Sequence, residues 1–131
     1  MTSEESPADR SGPGADPAVG TSLALDAVFE ILADRRRRFS LYAFIDAPEE
    51  ALSFVTLVED VATLEAAIDG TPVTRDRYLA AAADLYHWHL PVLAEVGVVE
   101  YDERSGMVRY LARPLLETWV ARVKRDELTP D

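Results

Sequence analysis

His87, Trp88 and His89 stand next to each other near the middle of the chain and could act together on one ligand. Imidazole nitrogens hydrogen-bond to phosphate oxygens and to base edges, and an indole ring can contact a sugar or the methyl group of thymine. If the three side chains face solvent on a helix, we expect them to contact DNA. The alternative is that Trp88 packs against a neighbouring part of the fold or a partner, and that both histidines are satisfied nearby.

The two histidines are poorly spaced for binding a metal ion. Residues two positions apart project about 200° apart around a helix, so His87 and His89 would not converge on one ion. The chain has no cysteine, which excludes disulfides, cysteine metal ligands and thiol nucleophiles. It also has neither a glycine-rich phosphate loop nor a nucleophile elbow. We therefore predict no metal site, no cofactor and no enzymatic activity.

Four arginines could add phosphate contacts to the same surface. Two occur at the start of a predicted helix and two in a predicted hairpin: Arg75, Arg77, Arg104 and Arg109. The hairpin pair matches the usual phosphate or minor-groove contacts of such a ribbon, and the helix pair would be secondary phosphate contacts. Pairing with acidic neighbours is the alternative, because Asp76 separates the first two, and Asp102 and Glu103 precede Arg104.

A run of four arginines, residues 35–38, opens another predicted helix. The positive end of the helix dipole disfavours cations in the first turn, so this run indicates specific partners. Ion pairing with nearby carboxylates is the favoured interpretation, and contact with phosphate or with a protein partner stays open.

The segment around the histidines predicts a helix followed at once by a β-hairpin. Tyr86, Leu90 and Leu93 have helical spacing, which predicts that they point into the core. The other residues of this turn would then lie toward solvent: Leu85, His87, Trp88 and His89. Gly97 is expected to end the helix, because glycine tolerates the left-handed backbone that follows a last helical turn.

Two strand-like segments follow Gly97. Residues 98–101 and 107–111 have the residue types of strands, and residues 102–106 have those of a turn. Helix, glycine, strand, turn and strand in direct succession are typical of the recognition helix and wing of a winged helix-turn-helix. We therefore predict a mostly α fold with a small β-hairpin wing, in the α+β class.

Two helices are predicted before residue 50. Ser22 could cap the first, whose apolar face would contain Leu25, Val28, Phe29 and Leu32. Asp34 could cap the second, over residues 35–45. Both would support the recognition helix from behind.

A short strand and two further helices follow. Leu52 would belong to a strand that pairs with the wing. Ser53 or Thr56 would cap a third helix, and Thr74 would cap a long helix that reaches the histidines. Because Pro91 lacks an amide hydrogen, we expect that helix to be kinked near it.

After the hairpin, Pro114 starts a last predicted helix. It carries an apolar stripe made of Leu115, Leu116, Trp119, Val120 and Val123. Such a stripe must be buried, either on its own domain or on a second copy of the chain. We favour the second copy and predict a homodimer with this stripe at the interface.

The length of 131 residues fits one domain. Residues 1–21 are rich in Ser, Pro, Gly and acidic side chains and predict a disordered acidic leader. Residues 22–111 would form the winged helix-turn-helix domain, residues 112–127 an added C-terminal helix, and residues 128–131 a tail.

The chain is acidic throughout, with 24 Asp and Glu against 13 Lys and Arg and a net charge of −11. At ordinary salt this argues against nucleic acid, because Lys and Arg supply most non-specific affinity. Scattered acidity with abundant Ala and Val is typical of salt-in halophilic archaea, in which hydrated carboxylates say little about partners. No apolar run approaches the roughly 20 residues of a membrane span, and the N-terminus lacks a secretory signal, so we expect no membrane and a cytoplasmic protein.

The stretch HLPVLAEVGVV, residues 89–99, resembles the end of the recognition helix in bacterial and archaeal winged-helix regulators. In those proteins a His-Leu-x-x-Leu-x-x-x-Gly-Leu-Val pattern leads into the wing. Residues 28–39, VFEILADRRRRF, resemble the helix pair that opens the same domains. Over residues 23–111 the chain is similar to a haloarchaeal winged-helix family of mostly unassigned function.

The resemblance implies a DNA-binding transcription regulator, with the recognition helix in the major groove and the wing on the backbone. The alternative is an adaptor of the same fold that binds a protein instead of DNA. The overall acidity, the few basic residues on the recognition segment and Pro91 favour this alternative. A contiguous positive surface would support DNA, and a negative surface with an exposed Trp88 would support a protein partner.

Overall fold

The computed structural model describes residues 23–129, so the predicted leader and the Ser22 cap lie outside the described residues. The described part is mostly helical with one small antiparallel sheet, which confirms the predicted α+β class. Its elements in chain order are α1 (Leu25–Leu32), α2 (Arg35–Asp46), β1 (Ala51–Ser53), α3 (Phe54–Asp69), α4 (Arg75–Asp84), α5 (Leu90–Glu95), β2 (Val99–Asp102), β3 (Met107–Tyr110) and α6 (Pro114–Leu128).

Polar side chains cap three of these helices where the sequence predicts them. Asp34 accepts hydrogen bonds from two backbone amides in the first turn of α2. Ser53 does the same for α3 and Thr74 for α4, each with one amide. Each cap satisfies amides that have no partner within the helix, which is why these helices begin where they do. Helix α1 differs, because Ala24 precedes it and supplies no side-chain cap.

The predicted hairpin is confirmed, and it belongs to a three-stranded antiparallel sheet with the order β1-β3-β2. In the hairpin Val99 pairs with Tyr110, and on the other edge of β3 Leu52 pairs with Val108, as expected for the short strand. Gly97 ends the preceding helix with φ +77°. The positive φ favours glycine here, whereas a Cβ at this position would meet only the mobile end of the Arg113 side chain, at 2.6 Å from Nη2.

Helices α4 and α5 form one helical run, residues 75–95, with a π-helical turn at Leu85–His89 between them. In this turn the amide of Leu90 donates to the carbonyl of Leu85, five residues back. Pro91 cannot donate to the carbonyl of His87, so the predicted irregularity near Pro91 takes the form of a widened turn.

The π turn changes which side chains face the core. Leu85 and His89 are buried, whereas Tyr86 is 39% exposed. The prediction that Tyr86 points inward and that Leu85 and His89 face solvent is therefore wrong. Its physical cause is that an i to i+5 turn rotates the following residues relative to a regular α-helix.

Helix α6 packs on α1 and α2 of its own chain. Leu116 and Val120 are almost fully buried there, and Trp119 meets Phe29 edge to face at 5.2 Å between ring centroids. Leu116 and Val120 are therefore unavailable to a second copy, and their assignment to a dimer interface is wrong. The sequence alone does not show whether the stripe packs on its own domain or on a second copy. In the structure, Leu116 and Val120 pack within their own domain, whereas Leu115 is 38% exposed. Within residues 23–129 no helix is long and apolar enough to cross a membrane.

Candidate functional site

Arginines of the run 35–38 bind carboxylates on other helices. Arg35 donates two hydrogen bonds to Asp69, at 2.9 and 2.8 Å. Arg36 donates to Glu65 at 2.5 Å and to Asp84 at 3.3 Å. These contacts join α2 to α3 and α4, so for these two arginines the predicted ion pairing is confirmed.

Arg38 makes a separate link from α2 to α6. Its guanidinium donates to both oxygens of Glu127, at 2.9 and 2.8 Å, and to the carbonyl of Leu32 at 2.7 Å. The Tyr42 hydroxyl donates to the same carboxylate at 2.8 Å. Burial raises the pKa of Glu127, but the hydrogen bonds from Arg38 and Tyr42 outweigh it and hold that pKa below its usual range.

Glu65 lies at the centre of the contacts between α2, α3 and α4. It is only 1% exposed and receives hydrogen bonds from Arg36 and Arg77. We call this group the ionic cluster and define it as Arg35, Arg36, Glu65, Asp69, Arg77 and Asp84. Glu65 is four residues after Val61 and three after Ala62, on the buried side of α3. This helical spacing could have predicted a buried carboxylate, but sequence reasoning missed it.

Arg77 belongs to the ionic cluster and not to an exposed basic surface. Its guanidinium contacts Glu65 at 3.3 Å, Asp69 at 3.2 Å and the Thr71 hydroxyl at 3.0 Å. For Arg77 these contacts favour the alternative of pairing with acidic side chains, and its phosphate contact stays a prediction. Arg75, two residues earlier, is exposed and forms no ion pair with any residue of the described part.

His89 is buried, and this contradicts its predicted role as a DNA contact. Its Nε2 lies 2.8 Å from the Asp84 carboxylate and 3.4 Å from that of Asp34. The side chain is held against the ionic cluster, and His87 is left as the exposed histidine. His89 follows the buried Leu85 by four residues, so both lie on the inner side of the helical run.

Three consecutive side chains, Tyr86, His87 and Trp88, are exposed, and we call them the aromatic face. Trp88 is 61% exposed, the largest value among the large hydrophobic residues described. Most tryptophan side chains in proteins are largely buried, so this exposure indicates a contact surface. The sequence prediction that Trp88 and His87 face solvent is confirmed.

A pocket of about 400 Å³ opens beside the aromatic face, between the helical run and the hairpin. We call it the aromatic pocket; its lining consists of Tyr86, His87, Leu90, Pro91, Ala94, Tyr101 and Glu103. Phe54 packs behind it, with ring centroids 5.9 Å from Tyr101 and 6.0 Å from Tyr86. Sequence reasoning missed Tyr101 and Glu103 as site residues, since only the fold of the hairpin brings them to the helix.

The hairpin carries both signs of charge. Arg109 pairs with Glu100 directly across the two strands at 2.6 Å, and both side chains are about 60% exposed. Such an exposed pair contributes little to stability and is open to exchange. Arg104 at the tip has no ion pair within residues 23–129; its backbone amide donates to Asp102. Both arginines predicted to contact DNA from the hairpin are thus exposed, and Arg109 is paired with a carboxylate.

Residues 29–109 match a family model described as a domain of unknown function, DUF7344. The match covers the segment from the end of α1 through β3 and leaves out α6. The searches of curated proteins and of solved structures gave no match. Within the described residues no group of three His, Asp or Glu side chains is arranged to hold a metal ion. Because the matched segment spans well over half of the sequence, the chain belongs to the DUF7344 family.

Proposed function

We propose that the chain is a winged-helix module that binds another protein through the aromatic face. The observation that carries this proposal is the exposure of Trp88 on a helical run that has no Lys or Arg after Arg77. Large exposed apolar side chains are the usual anchors of protein interfaces, where Trp and Tyr supply much of the binding energy.

The winged-helix part of the proposal rests on the order and pairing of the elements. The helical run would be the recognition helix and the hairpin of β2 and β3 the wing. Strand β1 pairs with β3, which is the support expected for a wing. Helices α2 and α3 pack behind the run, joined to it through the ionic cluster. The same fold serves both DNA and protein ligands, so the ligand must be argued from the surface.

The outer surface of the helical run is mainly apolar. Leu79 is 47% exposed, and Ala80 and Ala83 lie on the exposed side between it and Trp88. A DNA reader needs cations there to neutralise phosphates. From residue 75 to 109 the chain has four arginines, two of them in ion pairs, against six Asp and Glu. This balance favours a protein over DNA as the ligand of this surface.

DNA binding as a transcription regulator is the second candidate. Arg75 and Arg104 favour it, because both are exposed and neither forms an ion pair within the part of the chain described. With His87 and Trp88 they could contact a phosphate backbone while the helical run enters a major groove. We further propose a cytoplasmic location. A homodimer through α6 stays a prediction, in which Leu115, at 38% exposed, would be the available contact.

Co-purification of the tagged full chain in its native salt separates the two candidates. Three forms are compared after nuclease treatment: the unchanged chain, Trp88→Ala, and the double variant Arg75→Ala with Arg104→Ala. We expect a specific protein to be retained by the unchanged chain and by the arginine variant, but to be lost from Trp88→Ala. The same partner must also be lost from Leu79→Ala, which changes the same surface without touching the aromatic pocket.

The opposite pattern would support the second candidate. If chromatin fragments bind the unchanged chain and Trp88→Ala, are lost only from the arginine variant, and no protein depends on Trp88, the adaptor proposal is wrong. Circular dichroism of each variant confirms that the fold is retained.

A further inference from the structure

The aromatic pocket combines ring faces with a carboxylate that no Lys or Arg of the described residues neutralises. Its volume of about 400 Å³ lies within the range of pockets that hold small ligands or single side chains. Leu90, Pro91 and Ala94 form an apolar wall, and Glu103 supplies the charge at one side. A site of this kind can select a ligand that is both flat and charged.

Three rings line the opening, and the ring of Tyr86 is perpendicular to each of the other two. Tyr86 meets Tyr101 at 90° with centroids 6.2 Å apart, and it meets His87 at 88° with centroids 5.0 Å apart. In perpendicular pairs one ring presents its edge to the face of the other, so ring faces remain open around the pocket. The faces of aromatic rings carry negative charge density and attract cations.

Glu103 is held in place by a phenol and not by a basic side chain. The Tyr86 hydroxyl donates to Glu103 Oε1 at 3.3 Å. The charge of this carboxylate raises the pKa of Tyr86, which keeps the phenol protonated as the donor. Within residues 23–129 no Lys or Arg forms an ion pair with Glu103. Its second oxygen is therefore available to a ligand.

We infer that the aromatic pocket binds an arginine side chain of the partner protein. This inference rests on the proposed function and names the chemistry of the partner. A guanidinium is planar, stacks on aromatic faces and can donate to a carboxylate, so it matches Tyr86, Tyr101 and Glu103 together. The net charge of −11 and the neighbouring Glu95 and Asp102 favour a basic partner over an acidic one.

A pair of small probes tests the inference on the full chain. N-acetyl-arginine amide and N-acetyl-citrulline amide have nearly the same shape, but only the first carries a charge. In titrations followed by ¹H–¹⁵N correlation spectra at one fixed ionic strength, we expect shifts at residues 86–94 and 101–103. Binding of the arginine probe should be about tenfold tighter, which corresponds to one charge-assisted hydrogen bond. Equal binding of the two probes would overturn the inference.

Two matched variants test whether the carboxylate of Glu103 binds the arginine probe. Glu103→Gln should weaken the arginine probe about tenfold, because it removes the carboxylate and keeps the size. Glu100→Gln is the control, since its carboxylate faces Arg109 on the same hairpin and lies outside the pocket lining. If Glu103→Gln leaves the affinity unchanged while its spectrum shows the native fold, the pocket does not bind a guanidinium.

The failure of this inference differs from the failure of the proposed function. A protein partner that depends on Trp88, together with no response to the arginine probe, overturns the inference alone. A selective response to the arginine probe supports it, even when no partner depends on Trp88 and the adaptor proposal falls.

Discussion

The ionic cluster and the aromatic face both include residues of the helical run, but they differ in how their polar groups are paired. In the ionic cluster, Arg36 and Arg77 each contact the buried carboxylate of Glu65. On the aromatic face, Trp88 is exposed, and among the described residues the nearby Glu103 has the phenol of Tyr86 as its one hydrogen-bond donor. The polar groups of the ionic cluster are paired within the chain, whereas we propose that the aromatic face is a surface for a ligand.

This difference shows why arginines alone do not locate a site. Arg35, Arg36, Arg38 and Arg77 look like anion-binding residues in the sequence, but carboxylates of other helices neutralise them. Desolvated charges of this kind hold helices in one arrangement, because removing one partner leaves the other buried and unpaired. We propose that the interaction surface is formed instead by exposed groups that have few contacts within residues 23–129.

Glu65→Gln should have the largest effect on stability of the changes considered. It removes the charge that Arg36 and Arg77 share in a site that is 1% exposed. We expect the free energy of unfolding to fall by about 3 kcal/mol, the range of a broken buried ion pair. Urea unfolding at one fixed salt concentration measures it.

The matched control is Glu59→Gln, the same change at an exposed position one and a half turns earlier on α3. A surface substitution of this type should stay within about 0.5 kcal/mol. If both variants unfold at the same urea concentration, the ionic cluster does not hold the helices together and the contrast with the aromatic face disappears.

Substitution of the two tryptophans should have a smaller effect on stability than Glu65→Gln, and the effect should differ between the two positions. Trp119 is half-buried against Phe29, whereas Trp88 is exposed. We expect Trp119→Ala to lower the free energy of unfolding by about 2 kcal/mol, below the value for a fully buried ring. Trp88→Ala should change it by less than about 0.5 kcal/mol, although it abolishes partner binding. Thermal unfolding of the two variants side by side gives both values.

A loss of stability in Trp88→Ala as large as that in Trp119→Ala would place Trp88 in the core. The aromatic face would then be part of the packing and not a surface for a ligand. Sedimentation of the same two variants also reports whether Trp119 contributes to a dimer.

Features set by local chemistry were predictable from the sequence. Asp34, Ser53 and Thr74 cap helices because their side chains accept amide hydrogen bonds from the turn that follows. Gly97 ends a helix because its positive φ favours glycine. The strand pairing after it follows from alternating residue types joined by a turn. Each of these needs only a few neighbouring residues.

Features set by distant contacts were not predictable in the same way. The partners in the ionic cluster are up to 48 residues apart, as for Arg36 and Asp84. His89 is buried where the π turn contacts α2, and its side chain lies beside Asp34, 55 residues earlier in the chain. The stripe of α6 was recognised, but an apolar stripe does not say which surface will cover it. The aromatic pocket was not predictable either, because Tyr101 and Glu103 lie near Tyr86 only once the hairpin has packed on the helical run.

Acid should weaken the ionic cluster through Asp69, with the smallest effect of the three. Hydrogen bonds from Arg35 and Arg77 lower the pKa of Asp69 from 3.8 to about 2. Because the unfolded chain binds the proton more readily, the stabilisation from this carboxylate is complete above about pH 4 and is lost as the pH falls toward 2. The unfolding temperatures of the unchanged chain and of Asp69→Asn, measured from pH 6 to pH 2, should therefore converge in acid. In an Arg35→Gln background the same substitution should show less pH dependence, because the main hydrogen-bond donor is gone. Parallel curves in both backgrounds would mean that Asp69 is not tied to the arginines, and that the two sides of the helical run differ less than their contacts indicate.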